Sequence, residues 1–558
     1  MAFWPAIVYC CRPIKEHEFE GKAAESLKNE TLRCSRAKLQ RLFRTTAERK
    51  PMRPSRMWQK IASSDSGILV LLALFSILLH TLTNGQYGFH RDELARLDDA
   101  RYLAWGYVVY PPVTPFIARL ALTFFGPSLV ALRFFAALAQ GIAMVLTGLM
   151  AGELGGKRLA QLVAAIAAAI APVAFASGAL FQYVSFDYLW WVLTAYLMIR
   201  LLKSEDPRWW LGIGAAIGAG MMTKYTMAFL VAGIVGGVLL TAARRYLRSP
   251  WLWCGVALSI LIFLPNLIWQ IHHSFVSLEF LKSIHARDVR VGHTDGFLLG
   301  QLWKSSNVVT VPLWLAGLYY FFAVPAGKRY RLIGWMFVIP LAAFFFAKGR
   351  DYYPAPAYPM LLAAGAVWGE QWAGTLSPAR ARRVRATTWR AFAISGALVA
   401  VVVLPIAPLG SRWWIVANKL NDNFNEEIGW PAMAETVAHI RDSLPREDRA
   451  RLGILAGDAG EAGAINLYGS AYGLPRAISG SNSHWFRGYG DPPPQTVIAV
   501  GLSRGVLDWA FESCESTGHL TNRYGIKNSA IGDNTDVFAC RRLRQPWPEF
   551  WKQFRWFG

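Results

Sequence analysis

Long apolar stretches separated by short polar segments recur from residue 67 to residue 409. An α-helix needs about 20 apolar residues to cross a bilayer. The stretch from 210 to 243 is too long for one span, and Lys224 divides it. We therefore predict eleven membrane spans, near residues 67–83, 127–150, 159–177, 185–202, 210–223, 225–243, 251–271, 306–325, 331–347, 355–373 and 391–409.

The pattern changes beyond residue 410. Apolar runs shorten to strand length at 452–457, 496–502 and 536–540, and a helical pattern covers 430–444. This alternation predicts a small α/β domain for residues 410–558. The predicted fold class is thus a polytopic α-helical membrane protein with a small C-terminal α/β domain outside the membrane.

The N-terminal segment is polar and basic. Residues 1–66 hold fourteen Lys or Arg against seven Asp or Glu, and no apolar stretch opens the chain. This predicts a basic cytoplasmic tail, residues 1–66, rather than a cleavable signal peptide. Residues 67–409 form the predicted membrane domain.

The composition agrees with a membrane protein. Hydrophobic residues make up 54% of the chain and charged residues only 17%, below the roughly 25% of a soluble domain. A net charge of +22 could indicate nucleic-acid binding. The basic residues gather instead in short loops between apolar runs, as the positive-inside rule describes. We therefore predict no nucleic-acid partner.

The loop charges also set the orientation. If the N-terminus is cytoplasmic, the segments between spans that lie inside are 153–158, 203–208, 244–248, 327–331 and 378–390. Four of these five segments are net positive, as the positive-inside rule requires. The opposite face then receives the charged loop 84–126, Asp187, Lys224, the loop 272–305, residues 348–354 and the C-terminus. This one-sidedness predicts a single reaction site at the extracytoplasmic face.

The loop 84–126 carries the acidic pair Asp92–Glu93. A carboxylate beside a membrane span is costly unless it reaches water or a partner. One interpretation is a solvated pair bound to Arg91 or Arg96. The other is a general base that takes a proton from an acceptor hydroxyl. The residues alone do not choose between Asp92 and its acidic neighbours.

Further polar residues stand at the outer ends of predicted spans. Asp187 opens the fourth span, and Lys224 is either an interfacial anchor or a ligand of a lipid phosphate. The segment KGRDYYP offers Lys348, Arg350 and Tyr353 for the same task.

A long outer loop adds His285 and Arg287, which could bind phosphate or, through the histidine, a metal. The segment GDAGEAGAI at 457–465 lacks the GxGxxG spacing of a nucleotide loop, so we predict structural turn glycines. Cys514 and Cys540 could form a disulfide in an extracytoplasmic domain.

Five motifs carry a resemblance to a known family. They are GFHRDELARLDDARYLAWGYVVYPPVTPFIARL, FQYVSFDYLWW, GMMTKYTM, SPWLW…FLPNLIWQ and FAKGRDYYPAPAYPMLLA, in that order along the chain. Together they resemble the GT-C glycosyltransferases of the dolichyl-phosphate-mannose protein mannosyltransferase-like family. This family includes the transferase that adds aminoarabinose to lipid A.

The resemblance implies a function. Asp92, with Glu93 beside it, would be the catalytic base, and Asp187, Lys224 and Lys348 match further conserved-motif positions of the family. The donor would be a polyprenyl-phosphate-linked sugar. The acceptor would be a hydroxyl on a protein, lipid or glycan, glycosylated with inversion at the outer face of a bacterial plasma membrane.

One departure concerns a metal. The aminoarabinose transferases have Glu-Lys-Pro where this chain has Val109-Tyr110-Pro111. The Glu that helps to hold a metal and the Lys that holds the lipid phosphate are therefore absent. We predict no certain cofactor, and a divalent metal stays an open alternative.

Two other functions compete with glycosyl transfer. A transporter or flippase of lipid-linked sugars would place polar groups near the bilayer midplane, on broken helices. Here the carboxylates cluster in outer loops, which favours the enzyme. A receptor would leave the loop around Asp92 unexplained. We also expect the C-terminal domain to pack over that loop.

Overall fold

The computed structural model describes residues 64–530, 532 and 535–558. Almost all of the predicted basic tail, residues 1–66, lies outside the described residues. Residues 64–558 form one compact unit.

The first part of this unit is helical. Its helices are α1 (Asp65–Thr83), α2 (Arg91–Asp99), α3 (Val113–Phe125), α4 (Leu129–Glu153), α5 (Arg158–Ala169), α6 (Pro172–Ala179), α7 (Tyr183–Ser204), α8 (Trp209–Met221), α9 (Met227–Leu240), α10 (Pro250–His272), α11 (Val276–Arg290), α12 (Phe297–Gly300), α13 (Val311–Phe322), α14 (Arg331–Phe346), α15 (Tyr358–Gly374) and α16 (Pro378–Val403).

Each predicted span overlaps one of these helices. Within the described residues, five helices are long and apolar enough to cross a membrane: α1, α4, α10, α14 with the turn that precedes it from Pro325, and α16. The number rises to seven if each of two bent helix pairs counts as one span. The chain is a multi-pass membrane protein, and the total of eleven spans stays a prediction.

The third predicted span is one of the bent pairs. Helices α5 and α6 meet at an angle of 66°. Pro172 is the first residue of α6, where its missing N–H costs no helical hydrogen bond. The side chain of Asn307 donates a 2.9 Å hydrogen bond to the carbonyl oxygen of Ile170 in the break. The carbonyl oxygen at the break therefore has a hydrogen-bond donor outside the two helices.

Two predicted loops are wrong in part, since they contain helices. The segment 84–126 holds α2 and α3, and Pro112 is the N-cap residue of α3. The Arg-rich segment 378–390 is the first half of α16, because arginine is a good helix former and its charges can face water.

The C-terminal segment adds helices α17 (Arg412–Leu420), α18 (Trp430–Ser443), α19 (Arg446–Ala450), α20 (Ala459–Tyr468), α21 (Arg504–Ala510) and α22 (Trp547–Gln553). Its strands are β1 (Leu452–Ala456), β2 (Ala477–Ile478), β3 (Thr496–Val500), β4 (Phe511–His519) and β5 (Asp536–Leu543). They form one sheet in the order β2-β1-β3-β5-β4. Strand β1 is parallel to β2 and β3, whereas β5 is antiparallel to β3 and β4.

The three strands expected from apolar runs are present as β1, β3 and β5. Strand β4 was missed because it is an edge strand of the sheet, and its mostly polar residues alternate in no clear apolar pattern. Cys514 of β4 lies opposite Cys540 of β5, and a disulfide joins them.

Helix α20 packs on α2. Within α20, a Cβ on Gly460 would lie 2.1 Å from Cγ of Arg91, and one on Gly463 would lie 2.5 Å from the carbonyl oxygen of Leu94. The glycines of this segment are structural, as predicted. Gly460 and Gly463 serve a close approach between helices, however, so their prediction as turn residues is wrong.

One apolar core lies beneath this contact. Leu94 and Leu97 of α2 share it with Ile454 of β1, Ile498 of β3 and Val537 of β5. The expectation that the C-terminal segment packs over the loop around Asp92 is therefore confirmed.

Candidate functional site

Helix α2 begins with a reciprocal cap. The ring Nδ1 of His90 accepts a 3.1 Å hydrogen bond from the Asp92 N–H, and the Glu93 carboxylate accepts a 2.9 Å bond from the His90 N–H. Burial lowers the pKa of His90 to about 4, so its ring is neutral and free to accept. The cap places Asp92 and Glu93 in the first helical turn, where carboxylates are stabilised by the helix dipole.

Glu93 is buried in an ion network. Arg133 of α4 donates to both of its oxygens, at 2.9 and 2.8 Å, and the Phe181 N–H adds a 2.8 Å bond. The same guanidinium donates at 3.1 Å to Glu427 of the C-terminal segment. Burial alone would raise the pKa of Glu93, but Arg133 outweighs it and holds that pKa below its usual value. Glu93 thus joins three parts of the chain.

Asp92 has a different environment, with 36% of its side chain exposed. Its carboxylate lies 3.5 Å from Arg96 Nη1 and 3.9 Å from Arg91 Nε, and Gln182 donates a 3.4 Å bond to it. Partial burial would raise its pKa, but Arg96, His90 and Arg91 hold it well below the usual value. Asp92 is therefore an ionised carboxylate that solvent or a ligand can reach.

Aromatic rings connect Arg96 to the next cation. The guanidinium of Arg96 lies over Tyr110, 5.3 Å from the ring centroid, and over Tyr183, at 5.1 Å. Lys224 Nζ lies 5.3 Å from the same Tyr183 ring. Two cations therefore contact one phenol ring, an arrangement favoured by cation–π attraction.

Lys224 is nearly enclosed. Its Nζ lies 4.6 Å from the Tyr353 ring centroid, 5.6 Å from that of Tyr352, and 3.9 Å from the Asp187 carboxylate. Asp187 is buried and accepts a 2.9 Å hydrogen bond from the Thr226 hydroxyl. We call Arg96, Tyr183, Asp187, Lys224, Tyr352 and Tyr353 the cation–tyrosine cluster.

The remaining predicted residues lie differently. Arg350 donates to both oxygens of Asp288, at 2.6 and 2.8 Å, and Arg287 lies 3.6 Å from the same carboxylate. Lys348 and His285 are exposed, and no ion pair within the described residues includes either of them. The structure therefore brings Asp92, Asp187, Lys224 and Tyr353 together but leaves Lys348 and His285 outside this set.

Sequence reasoning missed Arg133 and Tyr183. Arg133 is a lone cation near the start of the apolar stretch 127–150, and a charge within a membrane helix marks a functional or paired position. Tyr183 precedes Asp187 by four residues, which is one turn of a helix. Both signals were available in the sequence.

The ligand chemistry for a metal is sparse. Within the described ranges, no group of three or more His, Cys, Asp or Glu side chains could hold a metal ion. The residues that are present thus do not fit a metal site of this kind, and the steps below use the side chains of the chain alone.

Comparison with known proteins assigns the fold. A family model described as dolichyl-phosphate-mannose-protein mannosyltransferase matches residues 109–269. Two crystal structures of ArnT from Cupriavidus metallidurans, one bound to undecaprenyl phosphate and one in the apo state, superpose with a TM-score of 0.54. Each is 15% identical, and the match covers 85% of this chain and 98% of ArnT. The chain has a GT-C fold.

The match to the mannosyltransferase family model covers only part of the site. Residues 109–269 include Arg133, Tyr183, Asp187 and Lys224, whereas Asp92 precedes them. No curated protein matches the sequence. The predicted resemblance is confirmed for the fold and for this segment.

Proposed function

We propose that this protein is a membrane glycosyltransferase that moves a sugar from a polyprenyl-phosphate donor to a hydroxyl acceptor, with Asp92 as general base. The observation that carries the proposal is the placement of an ionised, reachable Asp92 beside the cation–tyrosine cluster. One of the similar structures contains undecaprenyl phosphate, which supports a polyprenyl phosphate as the carrier.

Asp92 suits the role of base better than Glu93. Both oxygens of Glu93 accept hydrogen bonds from Arg133, and each accepts one more from a backbone N–H. Asp92 has only longer contacts and keeps an exposed surface. A substrate hydroxyl can therefore approach Asp92 without breaking the network that positions α2.

In the proposed step, the oxygen of the acceptor hydroxyl attacks the anomeric carbon of the donor. The proton of that hydroxyl passes to Asp92, and the bond from the anomeric carbon to the phosphate oxygen breaks. The phosphate leaves with the electron pair. A carboxylate with a lowered pKa is a weak base, so the proton moves as the new bond makes the hydroxyl acidic. A single displacement of this kind inverts the anomeric centre.

A polyprenyl phosphate is a good leaving group and needs cations rather than a general acid. Lys224 is the first candidate to bind the departing phosphate. Its only carboxylate partner in the described ion pairs is Asp187, and their separation of 3.9 Å is too long for a hydrogen bond. Arg96 is the second cation that contacts the Tyr183 ring. A lipid phosphate beside Tyr183 would bring its charge to both cations, in a region that excludes much of the water.

The orientation of the chain belongs to the same proposal. Cytoplasmic placement of the N-terminus and of the Arg-rich half of α16 puts Asp92 and the C-terminal segment at the outer face of a bacterial plasma membrane. Under the same proposal, the chain divides into a cytoplasmic tail at 1–66, a membrane domain at 67–409 and an outer domain at 410–558.

Replacement of Asp92 tests the proposal. A deletion strain is complemented with the wild-type chain, with Asp92→Asn, or with Asp422→Asn as a control at an exposed acidic position of the C-terminal segment. Mass spectrometry of envelope lipids, glycans and proteins should show a sugar adduct that requires the wild type and the control but disappears with Asp92→Asn. Equal adduct with Asp92→Asn, at equal protein level, would rule out the base assignment.

A further inference from the structure

A cavity of about 640 Å³ lies between the C-terminal segment and the end of α2. This volume lies within the range of roughly 300–1,000 Å³ that is usual for small-molecule sites. Asp98 and Tyr102 line it from the side of the loop 84–126, and residues of β1, β2 and the loops around them complete the wall. The cavity lies apart from the cation–tyrosine cluster.

The wall is strongly basic. The lining contains five arginines and one carboxylate, that of Asp98. The arginines are Arg441, Arg449, Arg451, Arg476 and Arg487. No lysine lines the cavity. Guanidinium groups are planar forks that bind phosphate or carboxylate oxygens in pairs, which a lysine ammonium does not do.

Part of this positive charge is held in place by α2. Arg476 and Arg487 donate to the two oxygens of Asp98, at 2.9 and 2.5 Å, and each guanidinium lies 4.7 Å from the ring centroid of Tyr102. Arg487 also bonds to Asp99. These two arginines are preorganised on one aromatic ring, so a ligand does not have to order them.

Another part is not neutralised. Arg449 is exposed, and no ion pair among the described residues includes it. The Nε of Arg451 is buried and has no hydrogen-bond partner in the described structure, while its Nη2 donates to the carbonyl oxygen of Pro493. No carboxylate in the described ion pairs partners Arg449 or Arg451, so an anion in the cavity would meet uncompensated positive charge.

We infer that this cavity binds the phosphate group of a phosphate-bearing, hydroxyl-rich acceptor. The inference rests on the proposed function, since it assigns the acceptor's anionic part to this site. Asp98 lies six residues beyond Asp92 on the same helix, a rise of roughly 9 Å along its axis. A saccharide or a lipid headgroup held by its phosphate in the cavity would therefore present its hydroxyls near α2.

Direct binding tests this inference on the full chain in detergent. Three probes are compared by isothermal titration calorimetry: glucose 6-phosphate, glucose and inorganic phosphate. Glucose 6-phosphate should bind at least about tenfold more tightly than glucose, because its phosphate adds charge-assisted hydrogen bonds to the arginines. Its affinity should fall as the salt concentration rises.

Variants assign the binding to the cavity. Arg449→Gln and Arg451→Gln should each weaken glucose 6-phosphate binding by roughly tenfold. Arg523→Gln, at an exposed arginine outside the cavity, should leave it unchanged. Thermal unfolding checks that all variants are folded.

Other outcomes would overturn the inference. Equal binding of glucose and glucose 6-phosphate, or undiminished binding by both cavity variants, would remove the anion site. Equal affinity for inorganic phosphate would make free phosphate the ligand and exclude the acceptor. The titrations contain no sugar donor and measure binding without transfer, so they stand independently of whether Asp92 is the base.

Discussion

Arg133 and Glu93 face each other with both carboxylate oxygens bonded, at 2.9 and 2.8 Å, and neither side chain is exposed. One residue belongs to a membrane helix and the other to the helix that carries Asp92. The third partner, Glu427, comes from the C-terminal segment, 3.1 Å from the same guanidinium. A single arginine therefore fixes the position of α2 relative to both α4 and the segment that covers it.

Loss of Arg133 should destabilise the protein. Arg133→Gln leaves two buried carboxylates without their cation, which costs about 3–5 kcal/mol. Thermal unfolding in detergent measures the effect. Arg504→Gln removes an exposed pair with Asp508, a hydrogen bond to the Cys514 carbonyl oxygen and a contact with the Phe538 ring, and should cost only about 1 kcal/mol. Similar unfolding temperatures for the two variants would contradict this account of the network.

Glu427 should make stability depend on pH. Burial raises its pKa to about 7, against the attraction of Arg133 and together with repulsion from Glu93. The folded state then holds a proton that the unfolded state has lost above its ordinary pKa of 4.5. The contribution of Glu427 to stability should therefore fall as the pH rises from 4.5 to about 7 and level off above that.

The Glu427→Gln variant provides the reference for that measurement. Its side chain cannot ionise, so the variant should gain stability relative to the wild type as the pH rises through this window. The gain in unfolding free energy should reach up to about 3 kcal/mol, at 1.36 kcal/mol for each unit by which the pKa is raised. A difference that is independent of pH between 4.5 and 8 would show that Glu427 does not titrate there.

Tyr183 should support transfer through its ring rather than its hydroxyl. Its face contacts the cations of Arg96 and Lys224. Tyr183→Leu removes both cation–π contacts, each worth about 0.5–2 kcal/mol, and should lower kcat/KM by roughly tenfold or more. Tyr183→Phe keeps the ring and should stay near the wild type. Equal losses in the two variants would assign the effect to the hydroxyl.

The contact between α20 and α2 should depend on Gly463. A Cβ there would lie 2.5 Å from the carbonyl oxygen of Leu94, so Gly463→Ala should destabilise the protein by about 1–3 kcal/mol through overpacking. At Gly505, in α21, no atom lies within 4 Å of an added Cβ. Gly505→Ala should be neutral or slightly stabilising. The opposite order of unfolding temperatures would rule out the close approach.

Much of the fold could be predicted from hydrophobic pattern alone. The apolar stretches became helices, and the strand-length runs became β1, β3 and β5. The bend between α5 and α6 and the polar edge strand β4 could not be predicted, since both depend on neighbours. Asn307 bonds the break from more than 130 residues away, and β4 is specified by pairing with β5.

The candidate site shows the same limit. Residue type and position made Asp187, Lys224 and Tyr353 candidates, and the family resemblance selected Asp92; the fold brings the four together. The pattern could not separate Asp92 from Glu93, because the difference lies in Arg133, forty residues along the chain. It also included Lys348 and His285 among the candidates. Burial and orientation, which a sequence motif does not encode, leave both outside the cluster.

The hydrogen bond from Arg476 to Asp98 spans 378 residues. Helix α2 leaves the ribosome several hundred residues before its docking partners α20 and β1 are made. Until then, α2 lacks the apolar core that it shares with the sheet. The protein should therefore reach its folded state only after the sheet has been synthesised and packs on α2.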